Sequence, residues 1–376
     1  MSGALLVERV RRDLEVVAHG GLDLDTYLVE SLTSLQRVVP FEAACLATVD
    51  PSTRLLTSTR KYGDLHGRDE RDHDWGLIEY GVSESTAFTQ LHDAGLRSAG
   101  VHQVTAGRVE TSVRVGELIR PHYGYGDELR GLFLDRDHLW GALAIFRSTD
   151  DPPFDADEVE FLGSLAEVLG HGVRTGLLAS LAVSAPVNSP AGPAVMIVGD
   201  DDTVVQVNAG AERWLNELVL SAAGAAPSGI VGSLVGAARR FARGECAQPP
   251  RARVRTASGL WLVLHATPLS PRGGATSEVV VTIEEARPPE IVPLVVAAFG
   301  LTARERDVTA YVLQGSDTKE IAAALHLSVW TIQDHLKSIF EKASVRSRRE
   351  LIARVYFDQY VPRMGHPVGP GGWFAG

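Results

Sequence analysis

The segment 301–357 contains several residues that typically begin or end helices, at close spacing. This spacing restricts the segment to a small set of folds built from short helices. Thr302 and Glu305 form a Thr-x-x-Glu capping box, in which each side chain satisfies a backbone N–H that the first helical turn leaves unpaired. Asp317 and Glu320 form a second box of the same kind. Two short helices are therefore predicted, each beginning directly after the first residue of its box.

A third helix follows within a few residues. Gly315 can adopt the left-handed conformation that closes the first helix, and Ser328 is a preferred cap for the third. Behind that cap, Ile332, Leu336 and Ile339 recur about one turn apart. This apolar face is predicted to be buried against the two preceding helices.

The opposite face of the third helix is polar. Gln333, Asp334, Lys337 and Glu341 occupy it, so it is predicted to face solvent or a partner. Two short helices joined by a tight turn, the second with a free polar face, are typical of the helix-turn-helix that enters a DNA major groove. A fourth helix, from Arg349 to about Phe357, is expected to cover the apolar side. A small helical bundle with no nucleic-acid role fits the same pattern.

This segment resembles the DNA-binding domain of the LuxR-type transcription regulators. The resemblance runs from Leu301 to Arg348 and implies that the helix from Val329 to Lys342 is the recognition helix. The residues that match the family pattern are Leu301, Thr302, Arg304, Glu305, Gly315, Lys319, Glu320, Ile321, Ala322, Leu325, Ser328, Thr331, Ile332, His335, Ile339, Lys342, Val345 and Arg348.

The resemblance also implies which side chains meet DNA. Three of them, Gln333, Asp334 and Lys337, would face bases. The other candidates would lie near phosphates, and the complete candidate set is Lys319, Ser328, Thr331, Gln333, Asp334, His335, Lys337, Arg346, Arg348 and Arg349. Ordinary solvated helix surface is the alternative for each residue taken singly.

The sequence departs from the family at three positions. Gln333 stands where Lys is common, Asp334 places an acid on the groove-facing side, and Ala343 replaces the usual Leu after Lys342. Gln suits adenine, Asp can accept from cytosine N4, and Lys337 can donate to guanine. Without a cation at Gln333, the sequence-independent part of the affinity should fall.

Charge is distributed unevenly along the chain. Residues 297–376 hold 10 basic and 8 acidic residues, whereas residues 1–296 hold 26 basic and 39 acidic residues. Only the C-terminal segment could approach DNA, and its small excess of positive charge predicts that two copies act together. The expected partners are double-stranded DNA and a second copy in a homodimer, with RNA polymerase as a further candidate.

Length and composition indicate an ordinary globular protein. The 376 residues leave room for two or three domains, and 45% hydrophobic with 22% charged residues is typical of soluble chains. Because the sequence has neither a long apolar run nor a signal-peptide pattern, we expect the chain to be cytoplasmic, with no membrane partner. Cys45 and Cys246 lie in unrelated segments and are predicted to be inert thiols, a sensing thiol being the less favoured alternative.

The N-terminal segment, residues 1–178, predicts helices around an antiparallel sheet. A hairpin turns at 135–137, and Asp155 with Glu158 caps a long helix whose apolar stripe serves either domain packing or a dimer seam. The arrangement resembles a GAF domain, a small-ligand or interaction module, whose pocket would lie between the sheet and residues 76–125. No cofactor and no metal site is indicated, and the ligand of such a pocket stays unknown.

The rest of the chain is predicted to contain a second sensor-like module. Strands on both sides of a helix near Asn208 resemble a PAS domain, and Ile291, Leu294 and Val295 form a stripe that could dock the output domain. We therefore predict an α+β multidomain chain, in which GAF-like and PAS-like antiparallel-sheet sensor domains precede an all-α, four-helix helix-turn-helix domain. The predicted boundaries are 1–178 GAF-like, 179–190 linker, 191–286 PAS-like, 287–298 linker, 299–362 helix-turn-helix, and 363–376 disordered tail.

These observations together predict a transcription regulator that couples a sensed signal to promoter binding. A small-molecule effector is expected, of unknown identity. The main alternative is a non-catalytic binding or interaction module whose helix-turn-helix is a docking surface, which the acid at Asp334 would suit. An enzyme, such as a cyclic-nucleotide hydrolase built on the GAF-like unit, is the third alternative, since the sequence shows no nucleophile-base-acid set.

Overall fold

The computed structural model describes residues 2–136, 138–180, 194–219, 227–256, 259–269 and 278–357. The predicted linker from residue 181 onward, the turn residue Asp137 and the predicted tail lie outside these ranges. The fold is α+β, with two antiparallel sheets and a C-terminal group of helices. We call residues 2–180 the N-terminal unit, 194–286 the central unit and 299–357 the C-terminal unit.

The N-terminal unit is built on a five-stranded antiparallel sheet in the order β2-β1-β5-β4-β3. Strands β4 and β5 are buried along most of their length, because helices cover both faces of the sheet at this point, and β4 buries charged as well as apolar side chains. The strands are β1 Ala43–Val49, β2 Leu56–Gly63, β3 Ser98–Gly100, β4 Tyr125–Asp135 and β5 His138–Ser148. Pairing of Asp135 with His138 confirms the predicted hairpin.

Eight α-helices accompany this sheet within the described residues, together with a 3-10 turn at Val109–Thr111 and a π-helix at Arg114–Ile119. The α-helices are α1 Ser2–His19, α2 Leu24–Leu35, α3 Asp72–Gly81, α4 Phe88–Asp93, α5 Val101–Val104, α6 Arg120–Tyr123, α7 Ala156–Ser164 and α8 Ala166–Ser180. The Asp155–Glu158 capping box is confirmed, but the long helix predicted behind it breaks at Leu165 into α7 and α8. Its apolar stripe is buried within the chain, with Leu169 and Val173 packed in the layer of α1 and α2. Of the two predicted uses for this stripe, the structure shows domain packing.

The central unit contains the second five-stranded antiparallel sheet, in the order β7-β6-β10-β9-β8. The predicted strand, acidic turn, strand and helix are all present, and the Asn208 side chain accepts from Ala211 N at 2.9 Å at the helix start. The elements are β6 Ala194–Val198, β7 Val204–Val207, α9 Ala209–Val219, α10 Pro227–Ala242, β8 Arg251–Arg255, β9 Trp261–Pro268 and β10 Val279–Glu285. The sequence analysis left the segment of α10 unassigned.

The N-terminal and central units contact each other closely. Helices α3 and α10 cross where Gly76, Gly232 and Gly236 face the opposing backbone, and a Cβ on Gly236 would come within 2.8 Å of Gly81 N. Such an approach is open only to residues without a side chain. A buried ion pair adds to this interface, with Arg253 Nε donating to Asp50 Oδ2 at 2.6 Å.

The remaining helices form the end of the chain. They are α11 Pro288–Ala298, α12 Ala303–Leu313, α13 Thr318–Leu325, α14 Val329–Lys342 and α15 Arg348–Ile352, which continues as one π-helical turn, Ala353–Phe357. The segment 287–298, predicted as a linker, is thus almost entirely helical. Within the described ranges, none of the helices combines the length and the apolar character that a membrane crossing requires.

Candidate nucleic-acid interface

Side-chain caps fix the ends of the three helices that form the site. The Thr302–Glu305 and Asp317–Glu320 boxes are both closed, and Ser328 Oγ accepts from Thr331 N at 3.0 Å. These contacts confirm the predicted starts of α12, α13 and α14. The short turn between α13 and α14 is therefore set by local sequence.

Helix α14 separates an apolar face from a polar face. Ile332 and Ile339 are completely buried and Leu336 is 7% exposed, whereas Gln333 and Lys337 are exposed. Asp334 and Glu341 are exposed as well. The predicted recognition helix, 329–342, is confirmed as a helix, and its polar face is open to solvent.

A buried carboxylate anchors α14 to α12. Glu305 accepts from Lys342 Nζ at 2.6 Å and from Ser338 Oγ at 2.6 Å, and it also closes its own capping box with Thr302 N. Burial opposes ionisation, but these hydrogen bonds outweigh it and lower the pKa of Glu305 to about 2. Lys342, which matches the family pattern, thus serves to hold the helices together.

The ten candidate DNA-binding residues lie on α13, α14 and the turn and helix that follow. Among the basic ones, Lys319, Arg346 and Arg349 are exposed. Arg348 instead donates to Ser316 O at 2.6 Å and to Thr318 Oγ1 at 2.8 Å, so it braces α15 against the start of α13. Ser328 is exposed at the cap, and Thr331 and His335 are half-buried along α14.

Trp330 is a residue that the sequence analysis missed. It lies in the first turn of α14 and is 77% exposed. Its spacing of three and seven residues from Gln333 and Lys337 places it on the same face of the helix, a relation already present in the sequence. Only the exposure shows that this large apolar ring is not part of the core.

A family model for bacterial regulatory proteins of the luxR family matches residues 300–355. The spore germination protein GerE of Bacillus subtilis is 34% identical over 55 residues, which cover 15% of this chain and 74% of that protein. The chain belongs to the LuxR family of bacterial regulatory proteins. The Monoamine regulon transcriptional regulator of Klebsiella aerogenes is 41% identical over 56 residues, covering 15% of this chain and 25% of that relative.

This LuxR-family chain therefore spans about a quarter of the length of that regulator. Among solved structures, Escherichia coli SdiA is 12% identical and aligns over 94% of this chain and 98% of its own, with a TM-score of 0.31.

A cluster of charged side chains is buried in the interior that was predicted to hold a ligand in the N-terminal unit. Arg114 and Arg130 both bond to Glu128, at 2.9 Å, and Arg130 also bonds to Glu79 at 2.7 Å. All four residues are less than 5% exposed. A cavity of about 40 Å³ remains beside them, lined in part by Cys45, whose pKa burial raises to about 12. A thiol with that pKa stays protonated at neutral pH, which favours the inert role.

Helix α11 connects the N-terminal and central units to the C-terminal unit. Its predicted stripe is buried, with Ile291, Leu294 and Val295 at 4% exposure or less. The helix packs against α8 and against the turn 353–357, and Leu294 and Trp261 of the central unit line the same small cavity. The stripe therefore docks the output helices against the N-terminal unit as well as the central one.

An arginine of the N-terminal unit closes the C-terminal end of α11. Arg174 Nη1 donates to Ala298 O at 2.5 Å, and its Nε donates to Asp135. Gly300, with a φ of +63°, lies directly beside this guanidinium. The end of β4 is thus linked through one side chain to the backbone that enters α12.

Proposed function

We propose that the chain binds double-stranded DNA through α14 and regulates transcription in response to the state of its sensor units. The polarity of α14 carries this proposal, because the face of Gln333 and Lys337 is open while Ile332 and Ile339 are buried. A helix of this kind can enter the major groove, where Lys337 would donate to guanine and Gln333 would pair with adenine.

Phosphate contacts would come from the basic side chains that are exposed to solvent. Lys319, Arg346 and Arg349 are exposed, and their charge would release counterions from the DNA backbone. Arg348 is engaged with Ser316 and Thr318, so its contribution to DNA binding would be to orient the start of α13. Such contacts set affinity and register, and the base-facing residues set sequence preference.

The protein acts as a dimer in this proposal. The segment 297–376 has an excess of only two positive charges over its 8 acidic residues, which is little for tight binding by a single copy. Two copies on half-sites about 10 base pairs apart would multiply the affinity. Sedimentation on the preferred DNA checks this, and a monomer on that DNA would contradict it.

The N-terminal and central units would supply the signal. We infer a GAF-like domain at 1–178 and a PAS-like domain at 191–286, with 299–362 as the output domain. The buried stripe of α11 and the Arg174–Ala298 contact support a route from these units to α12. A small-molecule effector with a coupling of about 1–3 kcal/mol would suffice to switch promoter binding.

Selection of fragments from random duplex DNA by the full chain tests the proposal. We expect enrichment of a palindromic or directly repeated site. Binding that is salt-sensitive but enriches no sequence would contradict it, and would favour a module whose helix-turn-helix is a docking surface. Mass spectrometry of the native protein would identify any effector that co-purifies.

A further inference from the structure

Trp330 is the most exposed large apolar side chain in the described part of the chain, at 77%. By contrast, Trp140, Trp214 and Trp261 are each 4% exposed or less. Aromatic side chains have among the largest apolar surfaces of any residue, so an indole that stays in water loses the stabilisation that burying this surface would give. Its position at the protein surface indicates that a binding partner covers it.

The surroundings of Trp330 extend the polar face of α14 rather than form a separate patch. Trp330 precedes Gln333 by three residues and Lys337 by seven, so the three side chains project from one side of the helix. Val329, next to it, is 39% exposed. An apolar edge therefore continues the face that would enter the groove.

Duplex DNA fits this edge better than a protein partner does. The groups beside Trp330 in the first turn of α14 are ones that meet phosphate, namely the hydroxyls of Ser328 and Thr331 at the start of a 14-residue helix. In a helix-turn-helix, the first turn of the second helix is the part that reaches base edges. The apolar feature that the major groove offers there is the C5-methyl group of thymine.

We propose that Trp330 packs against a thymine methyl group in each half-site and so makes the protein select thymine at one fixed position. The inference rests on the proposed function, because it requires α14 to lie in the major groove. An indole ring has no hydrogen-bond acceptor and a single donor, so it discriminates by apolar contact. It would add a preference that Gln333 and Lys337 cannot supply.

The test uses the full chain and the duplex obtained by random selection. Each thymine of a half-site is replaced in turn by uracil, which lacks only the methyl group. At one position we expect wild-type affinity to fall about fourfold, the value of one buried methyl group. Trp330→Ala should lower affinity for the original duplex by roughly tenfold and should bind the thymine and uracil duplexes equally.

Leu5→Ala is the matched control, since Leu5 on α1 is 71% exposed and should leave DNA affinity unchanged. The proposal is overturned if uracil has no effect at any position, or if Trp330→Ala still distinguishes thymine from uracil. It is also overturned if Trp330→Ala alters only the oligomeric state, which would assign the ring to a contact between copies. In each of these cases a retained effect of Lys337→Ala leaves the proposed function standing, whereas no enriched site at all removes both.

Discussion

Lys337 is the exposed cation in the middle of the polar face of α14. The acids Asp334 and Glu341 lie on the same face, so general attraction to DNA is weak there and each base contact matters more. In the proposed DNA complex, single side chains would therefore decide sequence preference. Glu305 has a different role, since it is buried and bonds α14 to α12.

Replacing Lys337 tests the recognition face. We expect Lys337→Ala to lower specific DNA affinity by about 1–3 kcal/mol, the usual value of one good base contact. Fluorescence anisotropy with the selected duplex measures it. Arg9→Ala, which removes the same charge from an exposed position on α1, should have no effect. Unchanged affinity of Lys337→Ala would mean that another face of the domain meets DNA.

Replacing Glu305 tests how α14 is anchored. The pKa of this carboxyl falls from its ordinary value of 4.5 to about 2 in the folded chain. Glu305→Gln should therefore destabilise the C-terminal unit by about 2–3 kcal/mol at pH 7. Because the folded pKa is the lower one, this stabilisation is complete above about pH 4.5 and is lost as the pH falls through 2.

Amide hydrogen exchange of α12 in the full chain measures the effect of Glu305→Gln. The difference from wild type should be largest at pH 7 and clearly smaller at pH 3. Glu341→Gln, at an exposed position on α14, is the control and should match wild type at both pH values. Equal exchange in wild type and Glu305→Gln at pH 7 would contradict the anchoring role.

At the scale of helices and strands, burial decides which of the contacts predicted from a sequence pattern actually form. The apolar stripe on α7 and α8 is buried inside the N-terminal unit. Helix α11 packs against its neighbours where a linker was predicted. Between the sheet and the helices α3–α6, a cluster of arginine and glutamate side chains is buried among apolar residues. Such charges are stable there because each one is hydrogen-bonded to an opposite charge.

Removing Glu128 tests this charged interior. Both Arg114 and Arg130 bond to it, so Glu128→Ala leaves two buried guanidinium groups short of a partner. We expect a loss of about 3–5 kcal/mol in the free energy of unfolding and a lower melting temperature of the N-terminal unit. Differential scanning calorimetry against Glu110→Ala, an exposed control, measures it. Melting at the wild-type temperature would show that the cluster contributes little.

The molecule as a whole is connected by contacts between distant parts of the chain. One apolar cluster runs from the α1–α2–α8 layer through α11 into the C-terminal helices, and a second joins the first sheet to the central unit. The glycine-lined crossing of α3 and α10 and the Asp50–Arg253 pair reinforce the second junction. A change in the N-terminal unit is thus expected to reach the central unit, and the reverse.

Separating the N-terminal unit from the central unit tests this coupling. A side chain at Gly232 would overlap the His73 carbonyl oxygen, so Gly232→Leu should force α10 away from α3. In calorimetry we expect the two units of the wild type to unfold in one transition and those of Gly232→Leu to unfold in two. Ala242→Leu adds similar bulk at the exposed end of α10 and should retain one transition. One cooperative transition in Gly232→Leu would show that the crossing does not couple the units.

The sequence by itself determined the C-terminal helices, their caps and the two faces of α14. These features depend on residues within about four positions of one another, so capping boxes and helical spacing are sufficient to predict them. It also indicated two antiparallel sheets, although the GAF-like and PAS-like assignments remain predictions. Trp330 was within reach of the same spacing argument.

Only the tertiary structure decided which charged groups are available to a partner. Lys342 and Arg348 look alike in the sequence to Lys337 and Arg349, yet the first two are bonded to Glu305 and Ser316. Their partners are some thirty residues away or more, and no local pattern records such a distance. The helix crossing at Gly232 could not be predicted either, because a close approach of two backbones depends on segments that are far apart in the sequence.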